Sequence, residues 1–315
     1  MVKLRAGVIG VGHLGQHHAR LYASLPDSTL VGVIDQDQGR ASVVAQKHGA
    51  QVFSDLPDLL KQVDIVSVAV PTSGHYSVAK RCLEAGKHVL VEKPIAVLPI
   101  EARELVELAK HHRCALQVGH SERFNPIMQA MRPHIRKPVL FECYRLGTYS
   151  GRGTDVDVVL DLMIHDLDLV LSCDPGPVED VRATGATVLS STRDVSNARV
   201  QFESGCVVNL TASRISPKAM RQWHVFQSDG CVSIDFQSRR GVIGRRSVEP
   251  GGKLTLATEE VEAGDGEPLK LQLESFLHAI RSESRPIVSG EDGVAALELA
   301  HRVLSAMGVS LPHKT

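Results

Sequence analysis

The sequence predicts an α/β protein of two domains: a doubly wound parallel sheet over residues 1–122, then a domain with a largely antiparallel sheet over residues 123–315. Three observations carry this. A chain of 315 residues exceeds what a single core usually serves. Up to about residue 120, short β-branched runs alternate regularly with helical segments. Beyond it, alternating polar and apolar runs are punctuated by turn dipeptides.

The first-domain strands are read at "LRAGVIG" (4–10), "TLVGVID" (29–35), "DIVSVAV" (64–70), "HVLVE" (88–92) and "ALQVG" (115–119). Helical segments separate them, including "LGQHHARLYASL" and "PIEARELVELAKHH", and several end in glycine, as expected just past a helix C-terminus. Near-continuous apolar strands joined by helices indicate a parallel sheet covered on both faces. In the second domain "DVVLDLMIHDLDLVLS" reads as a buried helix. "NARVQFESGCVVNLTAS" and "WHVFQSDGCVSIDF" read as hairpins turning at Ser204-Gly205 and Asp229-Gly230. Residues 238–268 read as long hairpins or loops, and the tail as two further helices.

Composition narrows the partners. A formal net charge of −1 offers nothing to nucleic acid or an anionic membrane, and no apolar run approaches the length needed to cross a bilayer. Six scattered cysteines without a CxxC pair read as reduced, packed thiols of a cytoplasmic protein. No His/Cys/Asp grouping has zinc-site spacing, so no metal is expected. The neighbouring histidines His17/His18 and His111/His112 read as solvated helix residues.

Gly10-Val11-Gly12-His13-Leu14-Gly15 lies directly after a strand and before a helix. Gly10 suits a tight turn, Gly12 lets backbone approach a pyrophosphate, and Gly15 allows close helix–strand packing. The helix N-terminus supplies free N–H groups to the phosphates. Asp35, ending the second strand, is placed to accept hydrogen bonds from the adenosine ribose. With Asp37 it would repel a 2′-phosphate, so NAD is expected, and Arg40 leaves NADP open.

The run "VSVAVPTSGHYSVAKRCLEAGKHVLVEKPIA" resembles the signature of the Gfo/Idh/MocA oxidoreductases, and the similarity extends from the glycine loop to "RPIVSGEDGVAALELA". The resemblance implies a Rossmann domain and an α/β domain whose large open sheet serves oligomerisation, as dimer or tetramer. It implies hydride transfer from a sugar or polyol hydroxyl, and nicotinamide-ribose contacts from Pro71, Thr72 and His75. It makes a cis bond before Pro94 plausible. Glu92 and Lys93 end a strand at the sheet edge where ligands bind. Both are expected to be partly solvated while the site is empty, and paired or in contact with cofactor and substrate when it is full. Lys93 is expected to hold the reacting hydroxyl and steady the forming alkoxide. Asp157, Asp161, His165 and Asp168 recur along one helical face. Asp161 and His165 match the family's DxxxH motif, a carboxylate orienting an imidazole that acts as general base. Asp166 has no evident role.

"GHSERFNP" and "SRISPKAMRQWHVFQSDG" look most like the family's nucleotide-sugar members, which oxidise C3 of a UDP-N-acetylhexosamine to a ketone. Arg123 is open to a substrate anion or to bridging the domains. Arg123, Arg145, Arg152, Arg214 and Lys218 are candidates for a diphosphate. A dehydrogenase of free sugars or inositols, and a protein that senses NAD without turnover, are the alternatives.

Overall fold

Runs of Val, Ile and Ala become extended in the first third of the chain because helices can cover both of their apolar faces. The computed structural model describes residues 2–149, 151 and 156–309. In it β1 (Leu4–Ile9), β2 (Ser28–Ile34), β3 (Gln51–Val52), β4 (Ile65–Val68), β5 (His88–Val91) and β6 (Leu116–Val118) form a parallel sheet in the order β3-β2-β1-β4-β5-β6. Connecting helices are α1 (Gly15–Ser24), α2 (Gln38–His48), α3 (Leu56–Gln62), α4 (Thr72–Glu84) and α5 (Pro99–His111). Their ends follow local chemistry: Asp37 caps α2 by accepting from Arg40 N, and Gly49 closes it at φ 66°. The strand order reverses between β1 and β4, the point at which doubly wound sheets hold their ligands.

The second unit begins with α6 (Pro126–Met131) and β7 (Pro138–Leu146). A π-helical turn at Val159–Met163 then runs into α7 (Ile164–Leu171). Seven strands follow: β8 (Val178–Ala186), β9 (Val195–Phe202), β10 (Val207–Ser213), β11 (Met220–Gln227), β12 (Gly230–Asp235), β13 (Arg240–Val248) and β14 (Leu254–Glu262). With β7 they make an eight-stranded sheet in the order β14-β13-β12-β11-β7-β10-β9-β8, in which only β7 and β10 pair in parallel. Both expected hairpins are there, the first turning through Gly205 at φ 83°. Phe141, Leu210, Trp223 and Val225 bury one face, and Trp223 meets Phe141 and Phe236 edge-on at 5.5 and 5.7 Å. The other face, carrying Glu142, Tyr144, Gln222 and His224, keeps partial access to solvent.

Two helices close the chain, α8 (Pro268–Arg281) and α9 (Gly290–Ala306). Here the division differs from the sequence-based one. One compact unit takes the chain up to Ser121 together with Glu267–Leu297, and the other takes Glu122–Gly266 with the residues from Glu298 onward. Leu273, Phe276 and Leu277 of α8 belong to the same apolar cluster as Val8, Leu21, Tyr22 and Ile65. An amphipathic pattern tells that a helix has a buried face, not which core receives it. Among the described residues no helix is long and apolar enough to cross a membrane, and no three His, Cys, Asp or Glu are grouped to hold a metal ion.

Candidate active site

The glycine loop joins β1 to α1. Gly10 sits at φ 82°, and a side chain there would meet the Ala69 carbonyl oxygen at 2.6 Å. A Cβ on Gly15 would lie 1.8 Å from the Gly10 oxygen, so helix and loop touch backbone to backbone. At Gly12 the space is open apart from Arg40 Nη1 at 3.4 Å. His13 and Leu14 are exposed, Val11 is buried, and no side chain caps the start of α1. These features fit a bound pyrophosphate. Asp35 accepts from Val11 N at 2.8 Å and from Asp37 N at 2.9 Å, so it also fixes the loop. A carboxylate has acceptor sites to spare for ribose hydroxyls. Arg40 is held by Asp37 at 3.1 Å, with Asp35 at 3.9 Å.

Glu92 and Lys93 follow β5, and the Lys93–Pro94 bond is cis. Glu92 departs from expectation. It is 6% exposed, and its Oε1 lies 2.9 Å from His18 Nε2, while Oε2 accepts from Lys93 N at 3.3 Å. Burial pushes the Glu92 carboxyl up, but the His18 hydrogen bond, with Lys93 and His75 nearby, leaves it below its ordinary value. His18 itself was read as solvated and is fully buried: residue 18 falls on the inward face of α1, where only a partner such as Glu92 makes imidazole tolerable. Lys93 is half-buried.

His75 is also buried, its Nδ1 2.7 Å from the Pro94 oxygen and its Nε2 2.9 Å from the Val70 oxygen. Burial pushes this imidazole down, against the two carbonyls. The ring sits buried between the ends of β4 and β5, and its one N–H when neutral donates to one of these two carbonyls. Pro71 is exposed and Thr72 half-buried at the start of α4.

Asp161 lies in the π-helical turn and His165 at the start of α7, and both keep partial access to solvent. A π turn widens the helix to more than four residues per turn, so residues four apart stay close to one face, and such turns recur at functional sites. The longer polar stripe does not hold together. Asp157 precedes the helix, accepts from Val159 N at 3.0 Å and faces Arg193 at 3.5 Å. Asp168 is 1% exposed and takes two hydrogen bonds from Arg123, at 2.7 and 2.8 Å. Asp166 likewise receives Arg145 at 2.8 and 2.9 Å and the Trp223 indole N–H at 2.9 Å.

Most of the basic candidates for an anionic substrate are therefore engaged within the second unit. Arg145 also donates to Glu122 at 3.0 Å. Burial lowers the Arg145 pKa, but Asp166 and Glu122 outweigh it and raise the guanidinium above its ordinary value. Arg214 is buried and donates to the Val156 oxygen at 2.9 Å. Lys218 is exposed, and Arg152 lies outside the described residues. A cleft of about 650 Å³ lies in the first unit near His88, Arg113, Leu116 and Arg285. It opens at the edge where β5 and β6 begin, opposite the glycine loop.

The model described as "Oxidoreductase family, NAD-binding Rossmann fold" matches residues 4–120, and the "GFO/IDH/MocA C-terminal domain" matches residues 143–233. The UDP-N-acetylglucosamine 3-dehydrogenase of Acidithiobacillus ferrooxidans is 37% identical over 97% of this chain and 96% of its own length. A solved structure of that enzyme superposes with a TM-score of 0.92, covering 98% of both chains at 36% identity. The scyllo-inositol 2-dehydrogenase (NAD(+)) of Bacillus subtilis is 26% identical over 98% of this chain and 96% of its own length.

Proposed function

The chain belongs to the Gfo/Idh/MocA oxidoreductase family, and on that premise we propose that it oxidises the C3 hydroxyl of a UDP-N-acetylhexosamine to a ketone. The observation that carries the substrate is the 37% identity, spread over nearly the whole chain, to an enzyme named for that reaction, against 26% for the inositol dehydrogenase. Residues 10–15 and Asp35 would hold NAD, which would supply the acceptor for the hydride leaving the carbon. His165 takes the hydroxyl proton, and Asp161, four residues earlier on the π turn, orients the imidazole and raises its basicity. Lys93 steadies the negative charge that grows on the oxygen. The products are the 3-keto sugar, reduced cofactor and one proton. With Arg123, Arg145 and Arg214 engaged elsewhere, Lys218 and Arg152 are what remains of the sequence-derived set for a diphosphate. A cytoplasmic homodimer or homotetramer completes the reading, and light scattering on the purified protein checks the assembly.

Formation of NADH with UDP-N-acetylglucosamine, UDP-N-acetylgalactosamine, free N-acetylglucosamine and myo-inositol tests the proposal. Turnover is expected on a UDP-sugar, with UDP alone a competitive inhibitor. Turnover on inositol with no response to UDP would move the chain to the polyol dehydrogenases.

A further inference from the structure

His18 lies one turn into α1, with every atom closed to solvent. Its Nε2 faces Glu92 Oε1 at 2.9 Å and its Nδ1 faces Ser67 Oγ at 3.0 Å. Ser67 Oγ in turn lies 3.0 Å from Tyr22 Oη, and Ser67 and Tyr22 are both fully buried. Three links join four groups, and proton counting selects one arrangement. With a neutral imidazole carrying its hydrogen on Nε2, Tyr22 donates to Ser67, Ser67 donates to Nδ1, and Nε2–H donates to Glu92. Each hydrogen then has one acceptor. If Nδ1 were protonated it would donate to Ser67, whose own hydrogen would turn to Tyr22. The Tyr22 hydroxyl hydrogen would then be stranded in a core where, among the described residues, it has no other acceptor.

We propose that His18 is a positioning residue which, as the neutral Nε2–H tautomer, fixes Glu92 as a carboxylate behind Lys93. It thereby ties the helix of the dinucleotide loop to the strand end that bears the lysine. Its catalytic consequence rests on the role proposed for Lys93. Glu92 fills the space that Gly119 leaves open, its Oε2 lying 2.7 Å from where a Cβ on Gly119 would stand. The titratable groups around it are His18 from α1, His75 from α4 and Lys93 from its own segment. On the β6 side it meets glycine. Removing the His18 donor leaves burial less opposed, so the carboxyl takes up its proton at a higher pH and the charge behind Lys93 is lost there. The sign follows: the carboxyl is held down in the intact protein, so its charge fails only as pH falls, and in the variant it fails sooner.

Two measurements on the full chain test this. In protein labelled with ¹⁵N-histidine, the His18 signals, identified by their loss in His18→Gln, should show one protonated and one unprotonated nitrogen with the hydrogen on Nε2. A doubly protonated ring, or the Nδ1–H tautomer, would overturn the proposal without reference to any substrate. In turnover against pH, His18→Leu should move the acid limb up by roughly one to two pH units with KM for NAD little changed. His18→Gln, whose amide keeps an N–H at the Nε2 position, should restore the limb. An acid limb unmoved in His18→Leu, with activity lost evenly at all pH, would reduce His18 to core packing. If no sugar is oxidised at all, the functional reading fails, while the tautomer still decides the placement of His18.

Discussion

Lys93 stands between a buried carboxylate and a proline, and its neighbour's charge is already met by His18 at 2.9 Å. That separates stability from chemistry at this position. In Lys93→Met the aliphatic stem remains and Glu92 keeps its hydrogen-bond donor, so the melting temperature should hold. Turnover should fall by about 10²–10³-fold, the usual worth of one group stabilising a forming oxyanion. A lower melting temperature with normal turnover per folded molecule would make "EKP" scaffold. Asp35 is a different case, because its carboxylate supports the loop through Val11 N and Asp37 N in addition to the ribose contact proposed for it. Asp35→Ser should weaken NAD by about 10-fold or more, the scale of a hydrogen bond to a charged group. NADP should lose less, since a repulsive charge goes and Arg40, still held by Asp37, no longer shares its charge with Asp35. Fluorescence titration with both cofactors reads the ratio, and an unchanged ratio would remove Asp35 from cofactor choice. The glycines and Asp35 were legible in the sequence because loop geometry restricts residue type locally. His18 was not, because its partner lies 74 residues away and nothing local distinguishes a buried imidazole from a solvated one.

Along the segment Val159–Leu171 the local pattern misleads in an instructive way. The 4-4-3 spacing of Asp157, Asp161, His165 and Asp168 describes one face of a regular helix, but the first turn is π-helical and the two ends of that stripe serve ion pairs. What the segment does is sort its acids by burial: Asp166 and Asp168 go inward to Arg145 and Arg123, and Asp161 with His165 stays accessible. Arginine partners from elsewhere in the chain decide this, and periodicity carries no record of them. The Arg123–Asp168 pair can be tested directly. Its side chains are 12% and 1% exposed, and breaking such a pair leaves an uncompensated charge worth about 3–5 kcal/mol. Arg123→Met should therefore lower the denaturant midpoint strongly, while Arg123→Met combined with Asp168→Asn should recover part of the loss. A substrate-binding Arg123 would instead raise KM and leave the midpoint where it was.

At the scale of the whole chain, the order of elements in the sequence and their grouping in space part company at α8. The alternation of strands and helices gave the parallel sheet, and the turn dipeptides at Ser204-Gly205 and Asp229-Gly230 gave the hairpins. The strands β7 and β8 escaped notice, and so did the allegiance of α8, since an apolar stripe fits any core of the right shape. Phe276 is fully buried in the cluster that includes Leu21 and Tyr22 of α1, the helix that begins at the dinucleotide loop. Truncating it should cost about 3–5 kcal/mol, the usual loss for a buried phenylalanine. The local consequence is more telling than the total. In Phe276→Ala, hydrogen exchange should quicken in β1, β2, α1 and α8, where the cavity opens, and NAD should bind more weakly because α1 loses its backing. Exchange in β8 to β14 should stay near that of the unaltered protein. If the faster exchange appeared instead in β8 to β14, with β1, β2 and NAD affinity unchanged, α8 would belong to the core of the second unit.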